Sequence, residues 1–468
     1  MADDQNGLSV WHLTMMALGT VVGGSFFLGS AIAIRTAGPA ILISYLLGGV
    51  LIYIILTALS EMTVANQAPG SFRTFAEEMF GPAVGFVLGW SYWTGLTLAI
   101  SSEATAAAVL IGRWIPGIAL PLIASLIIIL VTLLNLVGAR TLSTLESGLA
   151  VIKLSAIAIF IIIGIGLIGG FFGQSPVGLG ALRNESLLPN GFSGIAGSML
   201  IVIFTYAGFE IIGLAASEAE NPHDTVPRAI LYTVLGLVGL YTIAITVLLP
   251  LVPTGILTEE VSPLVSGLTN RGLIWAAGII NVVLLIAILS TMLAAMFGLG
   301  RMIRSLAEKG YAPHFMNEKG KEVPIRGILF SGIAMLIGMS SSYILPSQFY
   351  IFLVSSGGFI LLFTYVVIMA THYKYRKQCG CPPKGHCQLF GFPYTSILTL
   401  IGLAAIIISM PLVPGQGSGL IAGLLLIGFY SLAYLGFKYY KKLDVVDNGK
   451  LAVNMEVGDE IVPEEEDE

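Results

Sequence analysis

Three ionisable residues, Glu103, Lys153 and Glu210, lie inside long apolar runs of this sequence. A charge near the centre of a bilayer costs on the order of 3 kcal/mol on insertion scales, so each is a functional suspect until its partner is known. An ammonium group stripped of water releases its proton more readily than an exposed one. Two chemistries are therefore open to Lys153. It can exchange a proton during function, or it can be a fixed structural cation bonded to backbone carbonyls. Glu103 is open to relaying protons or to hydrogen-bonding a broken helix end. For Glu210 the structural role, satisfying loose backbone donors, is the better reading. Glu61 and Glu146 fall nearer the cytoplasmic ends of their apolar runs, where water would solvate them.

Two stretches offer backbone chemistry instead. Gly19-Thr20-Val21-Val22-Gly23-Gly24-Ser25-Phe26 puts three glycines and a serine within about two helical turns. Phe204-Thr205-Tyr206-Ala207-Gly208-Phe209-Glu210 again combines glycine with polar groups at mid-span. An interrupted helix exposes N–H groups at one half-helix end, which suit an anion, and carbonyls at the other, which suit a cation. A zwitterion matches that pair of poles. The bland alternative is that the glycines serve only close helix packing.

The elements that hold these residues follow from composition. Of 468 residues, 56% are hydrophobic and 10% charged, against about 25% charged in a soluble domain. A helix needs ~20 apolar residues to cross the hydrocarbon with its backbone satisfied internally. Twelve such runs are expected, near 9–35, 39–62, 83–112, 118–138, 147–171, 192–214, 229–252, 273–302, 325–346, 347–371, 390–412 and 417–439. The two glycine-interrupted runs are then the first and the sixth, five apart and so opposite in direction, the arrangement expected of two inverted halves around a transport site. Only Arg35, Arg113, Arg183 and Arg271 fall on one side of that arrangement. Seventeen basic residues fall on the other, which makes both termini cytoplasmic. The acidic N-terminus, Met1 to Asn6, carries no convincing cleavage site, so the first run is read as a retained helix.

The chain divides into 1–171 (tail and spans 1–5), 172–377 (spans 6–10), 378–442 (a cysteine loop and spans 11–12) and 443–468, an acidic tail read as solvated and disordered. Cys379, Cys381, His386 and Cys387 are spaced more tightly than the usual zinc knuckle, and no metal or cofactor is assigned to them. All five histidines fall at expected cytoplasmic ends or loops.

Gly19 to Gly29 resembles the first-helix motif of the amino acid–polyamine–organocation superfamily, in particular its bacterial amino acid permeases. The resemblance continues through Ala37-Gly38-Pro39-Ala40, Gly89-Trp90-Ser91-Tyr92-Trp93, Asn135-Leu136 and Ile152-Lys153. It is most specific at Glu210-Ile211-Ile212-Gly213 and Glu218-Ala219-Glu220-Asn221-Pro222, and extends to Arg301-Met302 and Ala312-Pro313. It implies an all-α integral membrane protein of twelve helices, with a leucine-transporter-type five-plus-five inverted repeat and two further helices. It also implies alternating access around a midplane site.

Carried over residue by residue, the resemblance gives the N–H groups of Gly24 and Ser25 to a substrate carboxylate. The carbonyls of Val21, Phe204 and Ala207 go to its ammonium, with Phe204 as an aromatic gate and Gly23 and Gly208 within the two breaks. Side-chain choice is left to Thr20, Thr205, Ser101, Ser102 and the eighth span. Lys153 takes the place where sodium-coupled relatives hold an ion, so an ammonium would stand in for the metal. The candidate set for coupling is Lys153, Glu103, Glu210 and Ser290. One departure is Ser25, which stands where the motif usually has a third glycine; its hydroxyl narrows the pocket.

The expected function is sodium-independent, proton-coupled uptake of neutral amino acids across the plasma membrane, with exchange or channel-like facilitation as alternatives. A membrane enzyme is disfavoured for want of a catalytic constellation. A primary pump is disfavoured because Gly320-Lys321-Glu322 lacks a phosphate loop. No basic stripe suggests nucleic acid.

Overall fold

A computed structural model describes residues 7–456 except 67, 69, 113, 172–174, 217–218, 259–260, 319–322, 345–346, 382–387 and 413–415, and omits the side chains of 139–140, 347–354 and 440–456. Arg113, Glu218, the Gly320-Lys321-Glu322 stretch and the His386–Cys387 part of the cysteine loop thus lie outside the described residues. The named elements are all helices. The one β-type contact among the described residues is an isolated bridge between Leu8 and Ala219.

The order is α1 (Val10–Val21), a π-turn (Ser25–Gly29), α2 (Ser30–Ala37), α3 (Ile41–Ala65), α4 (Phe72–Phe80), α5 (Pro82–Gly112), α6 (Leu120–Leu134), α7 (Ala139–Gly169) and α8 (Gly191–Thr205). There follow α9 (Ile211–Ala215), α10 (Pro222–Leu248), α11 (Pro263–Asn270), α12 (Ile274–Glu308), α13 (Ile325–Ile344), α14 (Ser347–Cys379), α15 (Tyr394–Ser409) and α16 (Gln416–Glu456).

Among the described residues, nine helical stretches are long and apolar enough to cross a bilayer; three shorter apolar helices are α1, α8 and α15. Two of the short ones stop for a visible reason. α1 ends at Val21 and α8 at Thr205, each beside one of the glycine-containing segments. The continuous stretch Ser25–Ala65 turns at Gly38, whose φ of +61° is open to glycine at little cost. α12 is the most enclosed of the nine spanning stretches, with 72% of its most apolar window buried. For α16 the figure is 11%, which puts it at the rim. Leu424, Leu425, Phe429 and Leu432 of α16, like Leu122, Leu126 and Leu133 of α6, face outward, as lipid contact requires.

Several boundaries differ from the sequence expectation, and three change the reading of charged residues. α7 begins eight residues before the expected 147, so Glu146 sits within it and is fully buried rather than solvated. Glu61, also expected in water, is 1% exposed. It accepts hydrogen bonds from His372 Nε2 (2.7 Å), Arg376 Nη1 (3.1 Å) and the Leu389 N–H (2.6 Å). α14 runs two turns past its expected end, which carries His372 and Arg376 to Glu61. His372, expected at a cytoplasmic end, is therefore within the helix and buried. α16 continues to Glu456, so the first part of the tail is helical, not disordered. The rest, 457–468, lies outside the described residues.

Two short helices, α4 and α11, have no counterpart among the expected runs. In α4 the fully buried Arg73 donates from Nε to Ser305 Oγ (2.9 Å) and from Nη1 to Glu77 (2.6 Å), and Glu77 accepts from Tyr311 (2.9 Å). Burial pulls the Arg73 guanidinium below its usual value, and neighbouring Glu77 opposes that shift.

Candidate functional site

Both glycine-containing segments are real interruptions. After α1, Val22 has ψ 83° and leaves the helix, while its N–H still reaches Leu18 O. The chain resumes as the π-turn, where the N–H groups of Phe26 and Phe27 both use the Gly23 carbonyl at 3.2 Å. Gly23 is glycine because α1 and α12 touch there: an added Cβ would lie 2.2 Å from Thr291 Oγ1. After α8, Gly208 takes φ +106°, and a Cβ there would meet Thr20 Cγ2 at 2.6 Å. The two breaks therefore pack directly on each other, Thr20 against Gly208. Glu210 Oε2 accepts the Gly208 N–H (3.1 Å) and the Tyr365 hydroxyl (3.3 Å), and Oε1 accepts from Tyr92 (2.9 Å). It thus satisfies a donor that the broken helix leaves loose.

A cavity opens between the breaks. Thr20 and Ser25 come from the first, and Phe204, Ala207, Gly208 and Glu210 from the second. α5 contributes Tyr92, Gly95, Leu96, Ala99, Ile100 and Glu103; α12 contributes Thr291 and Ala295; α14 contributes Gly357, Ile360 and Leu361. Other residues assigned to the site from sequence lie around this cavity and not on its wall. Ser101 Oγ donates to Thr97 O (2.7 Å) and Met335 O (3.1 Å), and Ser102 Oγ to Ala99 O (2.7 Å). Thr205 is buried with its hydroxyl on Val202 O (2.7 Å). The Val21 carbonyl faces the Tyr241 hydroxyl at 3.5 Å. Gly24 is in contact range of Ile288 and lies near Glu103, whose Oε1 is 3.9 Å from where a Gly24 Cβ would be. The α5 wall repeats at three and four residues (92, 95, 96, 99, 103), a single helical face that excludes 101 and 102. That periodicity is present in the sequence and identifies Gly95 and Ala99 as the wall.

Lys153 is fully buried. Its Nζ donates to the Gly19 carbonyl of α1, just before the first break, and to Ser290 Oγ of α12 at 2.8 Å. Ser290 Oγ in turn donates to Glu146 Oε2 at 2.6 Å. Glu146 and Lys153 lie seven residues apart on α7, two turns along one face, and both point at α1 and α12. α7 starts at Ala139, which brings Glu146 inside the helix, and the i, i+7 spacing to Lys153 is the sequence signal for it. Among the described residues, Glu146 Oε1 and Glu103 Oε2 have no hydrogen-bond partner. No group of three or more His, Cys, Asp or Glu among the described residues could hold a metal ion.

The arrangement is a small polar-and-apolar cavity at two helix breaks, with a buried lysine holding one of them. It offers backbone poles and ionisable groups. The sequence profile described as Amino acid permease matches residues 12–448. The chain is 32% identical to the gamma-aminobutyric acid permease of Bacillus subtilis, over 94% of this chain and 96% of that protein. It is 32% identical to the gamma-aminobutyric acid permease of Escherichia coli, over 90% and 92% of the two chains. It is also 32% identical to the aromatic amino acid transport protein of Corynebacterium glutamicum, over 86% and 89%. With its apolar helices, broken-helix cavity and full-length matches, the chain belongs to the amino acid permease family: a multi-pass membrane transporter, not an enzyme.

Proposed function

We propose that this protein takes up neutral amino acids by alternating access, independently of sodium and coupled to protons. The observation that carries this is Lys153, whose ammonium holds the Gly19 carbonyl beside the first helix break. A monovalent charge at that point does what a bound cation would do, so no sodium is needed there, and unlike a metal ion an ammonium can give up a proton. We read the chain as twelve spans with both termini cytoplasmic, built as two inverted halves (1–171 and 172–377) followed by 378–442 and a cytoplasmic tail.

In this reading the substrate lies in the cavity between the breaks. Its carboxylate meets the N–H groups at Gly24 and Ser25, and its ammonium meets the carbonyls of Phe204 and Ala207. Phe204, on the cavity wall, closes over it. The side chain is then judged by Gly95, Ala99, Ile100 and Ile360 together with Thr20. This apolar wall favours neutral side chains. Relatives named for gamma-aminobutyric acid and for aromatic amino acids support a zwitterion of no net charge as the substrate class.

The test is competition in proteoliposomes. Uptake of tritiated L-phenylalanine, or of gamma-aminobutyric acid if that is the better substrate, is challenged by the twenty standard amino acids. Neutral ones should compete, and arginine, lysine, aspartate and glutamate should not. Flux that stays linear with concentration and shows no counterflow would favour a channel instead.

A further inference from the structure

We propose that Glu146 is the proton partner of Lys153, reached through the hydroxyl of Ser290; this rests on the coupling role given to Lys153 above. The hydrogen bonds run in one direction. Lys153 Nζ donates to Ser290 Oγ (2.8 Å), and Ser290 Oγ donates to Glu146 Oε2 (2.6 Å). Ammonium, hydroxyl and carboxylate are thus aligned for one transfer. An N–H bond of Lys153 breaks as a new O–H forms on Ser290, and the former Ser290 O–H proton passes to Glu146. A neutral amine and a carboxylic acid remain, with no change of net charge and no other reactant.

This accounts for three features together. A lone buried ammonium is costly, and removing one member of a buried pair leaves the other uncompensated, so the pair explains how Lys153 is tolerated. The second carboxylate oxygen, Glu146 Oε1, is buried without a partner among the described residues, so the group can carry a proton there without breaking a hydrogen bond. The pair also controls the helix break. A hydrogen bond from an ammonium to the Gly19 carbonyl is stronger than one from a neutral amine, so the protonation state biases how firmly α1 is held.

The groups facing the pair are few. From α5 comes Glu103, on the cavity side near Gly24. From α10 comes Tyr241, whose hydroxyl is near Val21 O; His223, Asp224 and Arg228 lie in the first two turns of that helix, on the cytoplasmic side toward which Glu146 also lies. α12 brings Ser290 and no charged residue before Arg301, about 16 Å farther along the helix. The only ionisable side chain of α1, His12, is at its start beside Ser9. Glu146 lies about 10 Å cytoplasmic of Lys153 along α7 in the orientation proposed above.

Glu146→Gln in proteoliposomes tests this. The readouts are accumulation of tritiated substrate under an imposed pH gradient, counterflow at equal pH, and the pH profile of uptake. We expect the ratio of accumulation to counterflow to fall at least about tenfold. The pH profile should change with it, since the variant carries no group at position 146 that can take up a proton. Ser290→Ala, which keeps both ionisable groups and cuts the bridge, should lower the ratio likewise, and Glu146→Asp should restore part of it. A wild-type ratio and profile in Glu146→Gln overturns the proposal. If that variant does not fold, a wild-type ratio in Ser290→Ala does so. Lys153→Ala separates the two readings. Accumulation that survives in it defeats the coupling role of Lys153, whereas loss there with none in Glu146→Gln defeats only the present inference.

Discussion

At the residue scale, the contact of the two breaks through Thr20 and Gly208 makes a specific prediction. Gly208→Ala needs a side chain at φ +106° and brings Cβ within 2.6 Å of Thr20 Cγ2. Non-glycine residues pay about 1–3 kcal/mol in such regions, and the displaced Thr20 lines the cavity. Uptake should fall by roughly tenfold or more, through KM as well as maximal rate. Thr20→Ser, which removes the crowding methyl, should return part of it in the double variant. Saturation kinetics of the four proteins check this; independent, additive losses would contradict the contact. The residues of the two breaks, Lys153 and Glu210 were legible from sequence because polar groups in apolar runs have few innocent explanations. Glu146 was not, since its burial depends on where α7 begins. Ser101 and Ser102 each satisfy their hydroxyl on a backbone carbonyl one turn back, and the cavity wall does not include them.

At the element scale, Glu61 ties the end of α3 to α14 and to the segment before α15 through His372, Arg376 and the Leu389 N–H. Removing its charge leaves a buried imidazole and a part-buried guanidinium short of their acceptor. Breaking a buried pair costs about 3–5 kcal/mol. Glu61→Gln should therefore lower the unfolding temperature in detergent clearly. Glu308→Gln, whose partner Arg304 lies 3.5 Å away at a more exposed site, should shift it little. Equal shifts would contradict the role of Glu61 as a hub. Helix existence was legible almost throughout, because ~20 apolar residues in a row leave the backbone no other solution. The short α4 and α11 were not: at nine and eight residues they fall below the length of a span. What orders α4 is a buried Arg73 network reaching to Ser305, a contact across 232 positions of sequence. Sequence periodicity carries no sign of such a contact.

At the scale of the whole molecule, the positive-inside argument predicts that Cys379, exposed at the end of α14, faces the cytoplasm. With Cys381 and Cys387 changed to serine, a membrane-impermeant maleimide should label Cys379 in inside-out vesicles and not in right-side-out ones. Leu187→Cys, at an exposed position before α8, should show the opposite pattern. Labelling of both from one side would overturn the orientation and with it the inverted halves.

The central claim is that a buried lysine at the first helix break replaces a bound cation and couples transport to protons. The most direct measurement is accumulation of a tritiated neutral amino acid in sodium-free proteoliposomes under an imposed pH gradient, acid outside, for the wild type and Lys153→Ala. The account predicts accumulation in the wild type that collapses with the gradient and falls at least about tenfold in the variant. Wild-type uptake that requires sodium, or a variant that accumulates substrate as the wild type does, would contradict it.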